Sequence, residues 1–469
     1  MKNIDAMELK DTERVYFVGI GGIGMAALAR YYMAMGKAVA GYDRTESVLT
    51  DELAAEGATV SYADSMDAVP EAFRQKEGTL VVYTPAVPAS NVPLTFFRDG
   101  GFEIHKRAQV LGQITRASKS LCFSGTHGKT TTSSMAAHIL HHSGVGCNAF
   151  LGGILKGYNS NLMLSKTSPW SVVEADEYDR SFHQLTPYIA IVNATDPDHL
   201  DIYGTEEAYL ESFAHFTELI QPGGALIVRT GLKLKPRPGK DVRTYTFGRT
   251  DGDFHAANVR TGNGTIVFDF VYPGGTIADI ELGVPVDINV DNAVSALAAV
   301  YLTGTLTAEG ARNAVKSYPG VERRFEFHLK EEGPRGRAVI DDYAHHPDEL
   351  KQSIASVRAL YPDRKLTVAF QPHLYSRTRD FADEFAAALS AADEVVLVDL
   401  YPAREQPIPG ISSKTIFDKV TAHKKRLINK EDFVDTMKNS NFEVLLTAGA
   451  GDLNLYVPRL VKELKADKA

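Results

Sequence analysis

Short runs of apolar residues, many of them β-branched or aromatic, alternate with longer segments of helical period along the whole chain. Such alternation is typical of parallel sheets with crossover helices on both faces, so it predicts an α/β fold. The first apolar run, at residues 15–19, leads through glycines into a helical pattern at residues 25–35. The strands predicted in this first region are 15–19, 37–42 and 79–83.

Two further regions show the same pattern, one starting at residues 120–124 and one after the turn at 318–321. Between the first two regions, residues 108–119 form a polar helical stretch, which we interpret as a linker. Residues 233–280 are rich in Gly, Asn and Asp with alternating strands, and they predict a meander that decorates the second sheet. The other predicted strands are 171–174, 189–193, 225–228, 265–271, 338–341, 366–370, 394–399 and 443–447.

The chain has 469 residues, and at about 150 residues per domain this length indicates three domains. We place them at residues 1–113, 114–320 and 321–469.

The composition excludes several classes of protein. The 50 basic and 59 acidic residues give a net charge of -9, which argues against a nucleic-acid partner. An apolar content of 44% with 23% charged residues is typical of a globular protein. Two cysteines, Cys122 and Cys147, allow at most one disulfide. No apolar run reaches the roughly 18 residues that a membrane span needs. With no signal-peptide pattern at the start, we expect a cytoplasmic protein without a membrane partner.

The first candidate for chemistry is the glycine-rich sequence Gly19-Ile-Gly21-Gly22-Ile-Gly24 between a predicted strand and a helix. Asp43 follows 19 residues after Gly24, at the end of the next strand. Glycines let the backbone approach a pyrophosphate, whose charge is then stabilised by N–H groups at the helix start. The pattern does not separate NAD, FAD and nucleotide-sugar ligands, and a purely structural tight turn stays an alternative.

The second candidate is the loop Ser124-Gly-Thr-His-Gly-Lys129-Thr130-Thr-Thr132, which also lies between a strand and a helix. It is typical of a phosphate loop, with Lys129 as the cation for the β- and γ-phosphates and the Thr130 hydroxyl as a Mg²⁺ ligand. Phe123 stands where the strict pattern has its first glycine, so the loop is shorter than usual. A glycine-rich turn with a solvated lysine is the alternative.

Acidic residues follow two further strands of the second region. Glu174-Ala-Asp176-Glu177 ends one strand, and residues 195–201, with the sequence Thr-Asp-Pro-Asp-His199-Leu-Asp, follow another. Because parallel strands end at one edge of the sheet, these oxygen ligands would lie beside the phosphate loop and suit Mg²⁺. Exposed acids at loop starts are also often solvated or helix-capping groups.

Polar and basic residues gather after two strands of the third region. His345 and His346 follow one strand, and Arg377 and Arg379 follow another. The histidine pair can bind a metal or simply hydrogen-bond within a turn. The arginines suit a carboxylate or phosphate, although a solvated pair is an equal alternative.

Taken together, these motifs resemble the murein (Mur) ligase family along nearly the whole chain. Within the family, the histidine in the phosphate loop, the N-terminal glycine-rich turn and the DDYAHHP sequence point to the alanine-adding branch or to its peptide-recycling relative. The landmarks, in order, are GIGGIGM, GTHGKTTT, EADE, DPDHLD, DINVDNAVSALAAV, RRFE, DDYAHHP, HLYSRTR and the YP that precedes EQPIPG.

The resemblance implies a three-domain ligase that uses ATP and Mg²⁺ in the cytoplasmic synthesis of peptidoglycan precursors, as a monomer or homodimer. It also implies that the first and third domains are Rossmann-like and that the central one is a parallel sheet of the phosphate-loop ATPase type. The implied reaction joins L-alanine to the lactyl carboxylate of UDP-N-acetylmuramate through an acyl phosphate. One alternative is the recycling reaction, which adds a tripeptide to the same sugar nucleotide. Others, from different classes, are an NAD-dependent oxidoreductase and a non-catalytic nucleotide-sugar binding module.

The resemblance also assigns roles to individual residues. The implied catalytic residues are Lys129, Glu174, His199 and Arg324, and the implied metal ligands are Thr130, Glu174 and His199. ATP would be bound by Gly125, Thr126, His127, Gly128, Lys129, Thr130, Thr131, Asn289, Asn292, Arg324 and Asp342. The UDP sugar would be bound by Gly19, Gly21, Gly22, Ile23, Gly24, Asp43, Thr84 and Pro85, and the amino acid by Tyr343, His345, His373 and Arg377.

The sequence departs from the family pattern at three places. Ile288 stands where many members have histidine, next to the asparagines of the adenine-binding stretch. Leu374 stands where the alanine branch commonly has arginine, which shifts the binding of the alanine carboxylate toward Arg377. No lysine lies between Asp201 and Leu226, where several relatives have a carbamylated lysine near the metal.

Overall fold

The structure is a computed structural model. Three separate sheets form the fold, and none of the helices in the described ranges is long and apolar enough to cross a membrane. The structure describes residues 12–197, 200–262, 264–331, 333, 336–403 and 405–466. The chain divides into two compact units, the first comprising Met1–Ala257, Phe270–Ile277 and Asp291–Val315 and the second Asn258–Asp269, Ala278–Val290 and Lys316–Ala469.

The first sheet has five parallel strands: β1 (Arg14–Val18), β2 (Ala38–Tyr42), β3 (Thr59–Ser61), β4 (Thr79–Tyr83) and β5 (Glu103–Lys106). Their order is β3-β2-β1-β4-β5, which matches five of the six strands of a Rossmann sheet and confirms the Rossmann-like prediction. Val15 to Val18 are all fully buried, as expected for a strand covered on both faces. Its helices are α1 (Ile23–Ala34), α2 (Val48–Ala55), α3 (Val92–Asp99) and α4 (Arg107–Arg116).

The second sheet has ten strands in the order β15-β14-β13-β12-β11-β10-β6-β9-β7-β8. Strands β13 to β15 lie side by side in chain order, as the predicted meander requires, whereas β12 is parallel to both of its neighbours, β11 and β13, and so is not part of a meander. The strands are β6 (Lys119–Ser124), β7 (Asn148–Leu155), β8 (Ser160–Met163), β9 (Trp170–Glu174), β10 (Ile189–Val192), β11 (Ala225–Arg229), β12 (Arg243–Gly248), β13 (Phe254–Gly262), β14 (Thr265–Tyr272) and β15 (Gly275–Glu281). The helices are α5 (Lys129–His142), α6 (Leu200–Tyr203), α7 (Glu206–Glu218), α8 (Ile288–Tyr301) and α9 (Ala308–Ser317).

The third sheet has six strands in the order β16-β17-β21-β18-β19-β20. All are parallel except β16, which is antiparallel to β17. The strands are β16 (Glu326–Lys330), β17 (Ala338–Asp342), β18 (Leu366–Phe370), β19 (Glu394–Val398), β20 (Lys424–Ile428) and β21 (Val444–Ala448). The helices are α10 (Pro347–Leu360), α11 (Tyr375–Asp380), α12 (Ala382–Leu389), α13 (Ser413–Phe417), α14 (Phe433–Lys438) and α15 (Val457–Ala466).

The stretch predicted as a linker is helix α4, and it is packed rather than free. Val110, Leu111 and Ile114 are buried in the same apolar cluster as Val15 of the first sheet and Phe213 of α7. The prediction of a helix was therefore correct, but the prediction of a linker was wrong. Polar residues separate the apolar positions along the sequence, and the helix brings those positions together on the face that packs against the core.

Arg30 of α1, a helix of the first sheet, forms hydrogen bonds that reach the β7–β8 hairpin of the second sheet. Its guanidinium is 9% exposed and bonds Glu56 at 2.8 Å, Glu52 at 2.8 Å and the amide oxygen of Asn161 at 3.3 Å. The Asn161 amide nitrogen donates in turn to the carbonyl of Ile23 at 2.6 Å. Glu52 and Glu56 are 46% and 41% exposed, so removal of the guanidinium leaves the buried amide oxygen of Asn161 without its donor while the carboxylates stay in contact with water.

Arg30→Ala is therefore expected to lower the free energy of unfolding by about 1–2 kcal/mol, because the buried amide oxygen of Asn161 loses its donor while water can solvate the half-exposed carboxylates. Urea unfolding measures this loss. The matched control is Arg44→Ala, since Arg44 is exposed and its removal should change stability by less than about 0.5 kcal/mol. Equal losses in the two variants would contradict a role for the network.

Candidate active site

The glycine-rich turn after β1 is built as its sequence predicts. Gly19 has a φ of +91°, and a Cβ added there would lie 2.6 Å from Cγ2 of Thr84. The backbone N–H of Gly21 donates to the Asp43 carboxylate at 2.7 Å. Pro85 follows Thr84 in the turn after β4, so the predicted sugar-nucleotide residues lie at the carboxyl edge of one sheet, at its switch point.

Arg107 lies over the start of α1 and was missed by the sequence reasoning. Helix α1 begins at Ile23, with Gly22 as its N-cap, no side-chain cap and no acidic residue in its first turn. A Cβ on Gly24 would lie 2.7 Å from Nη1 of Arg107, and Nη2 of Arg107 is 3.7 Å from the Asp176 carboxylate. No signal in the sequence pointed to Arg107, because β5, the strand that it follows, was not predicted.

The phosphate loop needs both of its glycines. Gly125 and Gly128 have φ values of +135° and +82°. A Cβ would lie 2.7 Å from the backbone nitrogen of Ala194 at the first and 2.9 Å from Oδ1 of Asn292 at the second. Thr126 fixes the loop further, because its backbone N–H donates to the carbonyl of Ala194 at 3.2 Å. Of the other predicted loop residues, His127 is exposed and Thr131 is half-buried at the start of α5.

Lys129 and Thr130 each contact a carboxylate. The Lys129 ammonium donates to the carbonyl of Gly125 and to Oε1 of Glu177, both at 2.7 Å. The Thr130 hydroxyl lies 3.0 Å from both oxygens of Glu174. The backbone N–H of Gly152 donates to the same carboxylate at 3.0 Å. Thr130 and Glu174, predicted as metal ligands, are therefore brought together.

Burial and charge oppose each other at these two carboxylates. Burial raises the pKa of both Glu174 and Glu177, while the ammonium of Lys129 lowers the pKa of each. Glu177 is the second functional candidate without a predicted role, although it belongs to the EADE motif. Its contact with Lys129 depends on the pairing of β6 with β9, which the sequence spacing does not show.

Asn292 belongs to a buried polar network behind the loop. The Thr132 hydroxyl donates to its amide oxygen at 3.2 Å and accepts from Asn193 at 3.2 Å, and Ser295 donates to Asn193 at 2.8 Å. Asn289, three residues earlier on α8, donates to the carbonyl of Val284 at 3.1 Å. These amides are bonded to protein groups here, and their contact with adenosine stays a prediction.

The predicted metal ligand His199 lies outside the described residues. Within the ranges that are described, no group of three His, Cys, Asp or Glu side chains is arranged to hold a metal. The oxygen donors that can be placed are the Thr130 hydroxyl and the two oxygens of Glu174. Hard oxygen donors of this kind are the ligands that Mg²⁺ prefers, so this pair fits the predicted ion.

Three of the four residues predicted to bind the amino acid form a ring cluster at the carboxyl edge of the third sheet. The rings of Tyr343 and His345 are 5.1 Å apart, and those of His345 and His373 are 6.2 Å apart. The Arg324 guanidinium lies 5.7 Å from the Tyr343 ring. Burial lowers the pKa of His345, and the charges of Arg324 and Arg377 lower it further. Arg377, the fourth predicted residue, therefore faces the same cluster.

Two neighbouring aspartates end β17 in different surroundings. The Asp342 carboxylate accepts from the backbone of Phe325 at 3.3 Å and is bonded by the Ser353 hydroxyl. Asp341 is 3% exposed and is bonded by the Thr447 hydroxyl at 2.5 Å. Burial raises the pKa of Asp341 to about 6. The contact of Asp342 with adenosine stays a prediction.

Three family models match consecutive parts of the chain. The Mur ligase family catalytic domain matches residues 14–119, the Mur ligase middle domain residues 123–300, and the Mur ligase glutamate ligase domain residues 323–458. Together with the three sheets and the phosphate loop, these matches define the class of the protein. The chain belongs to the Mur ligase family, which confirms the resemblance and the three-domain α/β fold.

Individual relatives share one name. The UDP-N-acetylmuramate–L-alanine ligase of Phocaeicola vulgatus is 56% identical over 455 residues, covering 97% of this chain and 98% of the relative. The enzyme of the same name from Parabacteroides distasonis is 55% identical over 460 residues, covering 98% of each chain. The crystal structure of the UDP-N-acetylmuramate-alanine ligase of Thermotoga maritima matches with a TM-score of 0.79 at 27% identity, covering 97% of this chain and 99% of that one.

The aspartate pair gives a pH prediction. Because the pKa of Asp341 in the fold, about 6, exceeds the ordinary value of 3.8, the folded chain binds this proton more tightly than the unfolded chain. The stability gained from that proton is present below pH 3.8 and is lost as the pH rises through about 6. Asp341→Asn removes the ionisation, so it is expected to raise the free energy of unfolding by about 2–3 kcal/mol at pH 7.5 and by much less at pH 4.

Urea unfolding of both chains at the two pH values measures the difference. Asp383→Asn is the control, because the Asp383 side chain is 80% exposed and its replacement should have little effect at either pH. A gain for Asp341→Asn that is the same at pH 4 and 7.5 would show that ionisation of this carboxyl is not its cause.

Proposed function

We propose that this chain is an ATP-dependent ligase that joins L-alanine to UDP-N-acetylmuramate. The observation that carries the proposal is the phosphate loop, in which Lys129 and the Thr130–Glu174 pair lie together at the end of β6. Relatives bearing the name of this reaction match the chain over almost its whole length. The glycine-rich turn, which alone would also suit an oxidoreductase, is explained as the site of the UDP sugar.

We assign ATP and Mg²⁺ to the central domain. Lys129 and the backbone N–H groups of residues 125–131 would hold the phosphates, because they combine a cation with N–H donors at a helix start. Thr130 and Glu174 would hold Mg²⁺, and His199 is proposed as a further ligand. Bound there, Mg²⁺ would stabilise the charge that develops on the transferred phosphoryl group.

We assign the UDP sugar to the first domain, residues 1–113. The diphosphate would lie at the start of α1, where no side chain caps the helix and Arg107 supplies a cation close to Gly24. Asp43, Thr84 and Pro85 line the same edge of the sheet. The bond from Gly21 to Asp43 supports this assignment, because it fixes the turn that the diphosphate would contact.

We assign L-alanine to the third domain, residues 321–469, and the ATP domain to residues 114–320. Arg377 is the proposed partner of the alanine carboxylate, because its buried Nη1 has no hydrogen-bond partner among the residues that the structure describes. Tyr343, His345 and His373 would line the pocket. From the family, Arg324 is proposed to reach the γ-phosphate, and Asn289, Asn292 and Asp342 to face the adenosine.

The chemistry follows from the weakness of a carboxylate as an electrophile. Attack of the lactyl carboxylate on the γ-phosphate gives an acyl phosphate and ADP, and the α-amine of L-alanine then displaces phosphate to form the amide. Lys129 would stabilise the charge on the phosphoryl oxygens during the first step. Exclusion of water would protect the acyl phosphate from hydrolysis.

The recycling reaction is the nearest alternative within the family. The murein peptide ligase of Psychrobacter arcticus matches this chain with a TM-score of 0.62 at 21% identity, a likeness of fold alone. The relatives at 55–56% identity carry the alanine ligase name, so they support alanine as the acceptor amine. We place the reaction in cytoplasmic synthesis of peptidoglycan precursors, carried out by a monomer or a homodimer.

The test is a product analysis. The chain is incubated with ATP, Mg²⁺ and UDP-N-acetylmuramate, together with either single amino acids or a tripeptide, and the products are weighed by mass spectrometry. We expect UDP-N-acetylmuramoyl-L-alanine and ADP, with Lys129→Ala reducing turnover by about 10²-fold or more and the exposed Lys166→Ala leaving it unchanged. Turnover that ignores the sugar nucleotide, or amide formation with the tripeptide alone, would overturn the proposal.

Gly152 provides a second prediction on the metal ligand. A Cβ at this residue would overlap the Glu174 carboxylate, so Gly152→Ala is expected to displace that carboxylate from Thr130. Turnover should fall by about 10–100-fold, and the Mg²⁺ concentration for half-maximal rate should rise. The control is Gly239→Ala, because Gly239 is exposed and its added methyl would lie 3.9 Å from the nearest side chain. An unchanged Mg²⁺ requirement in Gly152→Ala would contradict the assigned role of Glu174.

A further inference from the structure

Glu177 is a buried carboxylate bound to the lysine of the phosphate loop. Its side chain is 1% exposed, and that of Lys129 is 15% exposed. Oε1 accepts at 2.7 Å from the ammonium that is proposed to bind the nucleotide phosphates. Lys129 is therefore already paired with an anion of the protein before any phosphate arrives.

The pair is poorly suited to a purely structural role. Oε2 of Glu177 is buried and has no hydrogen-bond partner among the residues that the structure describes. A carboxylate buried for stability would have both oxygens satisfied, because an unpaired buried oxygen keeps its full desolvation cost. The pair therefore stabilises the charged form of Lys129 but leaves one oxygen of the Glu177 carboxylate without a hydrogen bond.

The backbone holds Glu177 firmly in this position. Its carbonyl accepts from the Tyr203 hydroxyl at 2.5 Å and from the backbone N–H of Arg180 at 2.9 Å. Asp179 and Arg180 both adopt left-handed conformations, with φ values of 51° and 54°, and the Arg180 guanidinium lies 4.7 Å from the Tyr203 ring. Two successive strained residues persist only where surrounding contacts impose them, and such strain clusters at functional sites.

From this geometry we infer that Glu177 is a positioning residue that competes with the terminal phosphate of the nucleotide for Lys129. The inference rests on the proposed function, because it requires that Lys129 binds ATP. The carboxylate would keep the ammonium directed into the loop when the site is empty. The Glu177 carboxylate would also bond to the Lys129 ammonium again when phosphate leaves, which favours the release of products.

Electrostatics determines whether the loss of the Glu177 charge strengthens or weakens ATP binding. A phosphate oxygen and Oε1 of Glu177 bonded to one ammonium would lie about 4–5 Å apart, given hydrogen bonds of ordinary length. Two anions at this separation repel each other in a partly buried site. Replacing Glu177 by glutamine removes the repulsion and leaves Lys129 with a weaker partner, and both changes favour phosphate binding.

The experiment measures the dissociation constants of ATP and ADP by isothermal titration calorimetry, with Mg²⁺ and separately with EDTA. Glu177→Gln is expected to bind ATP about tenfold more tightly than the unaltered chain under both conditions, a change typical of one close charge pair. The matched variant is Glu174→Gln, three residues away, which is expected to weaken ATP binding in Mg²⁺ but not in EDTA, where the lost carboxylate no longer binds a metal and would only repel the nucleotide. In the Lys129→Ala background, Glu177→Gln should give a clearly smaller gain.

Unchanged or weaker ATP binding by Glu177→Gln, with a normal thermal unfolding midpoint, would overturn the inference. If that variant does not fold, Glu177→Asp, which keeps the charge but shortens its reach to Lys129, is expected to bind ATP more tightly by a smaller factor, and the absence of any gain would overturn the inference equally. Failure of the proposed function is distinguishable, because the unaltered chain would then bind no ATP or would bind it independently of Lys129.

Discussion

The parallel pairing of β6 with β9 and β10 is the constraint on which the phosphate-binding edge depends. Phe123 lies opposite Glu174 on one side, and Ser124 lies opposite Val192 on the other. Because the three strands end at the same level, the loop that begins at Gly125 is enclosed by the ends of both neighbours. A slip of one residue would turn the Glu174 side chain to the other face of the sheet, away from Thr130.

The same constraint connects the glycine-rich turn to the phosphate loop. The Asn161 amide nitrogen contacts the carbonyl of Ile23 at 2.6 Å and that of Leu151 at 3.4 Å. Gly152, the next residue, donates to Glu174 at 3.0 Å. The start of α1 and the proposed metal ligand are thus joined by a short chain of hydrogen bonds through the buried amide of Asn161. A sugar nucleotide at the turn and a phosphate at the loop would be held by one connected frame.

Local patterns predicted the strands whose residues are buried on both faces, such as β1, β4, β6 and β18, and the loops that follow them. The short edge strands β3, β5 and β8 were missed, because half-buried residues give neither a continuous apolar run nor a full alternation. Contacts between residues that are far apart in the sequence could not be predicted either. Arg107 reaches Gly24, and Glu177 reaches Lys129, only because the sheets place their strand ends side by side.

The balance of charge at the phosphate loop explains why the nucleotide would enter with a metal ion. Around the loop, Glu174, Asp176 and Glu177 provide three carboxylates. The charge of Asp176 raises the pKa of Glu174 and Glu177, and the charge of Lys129 lowers it. Two cations lie against this group: Lys129 bonds to Glu177 at 2.7 Å, and Arg107 lies 3.7 Å from Asp176. A polyphosphate alone would therefore meet more negative than positive charge. A divalent ion held by Thr130 and Glu174, as proposed, would offset that excess, and a carboxylate that would repel the nucleotide would instead bind it through the metal.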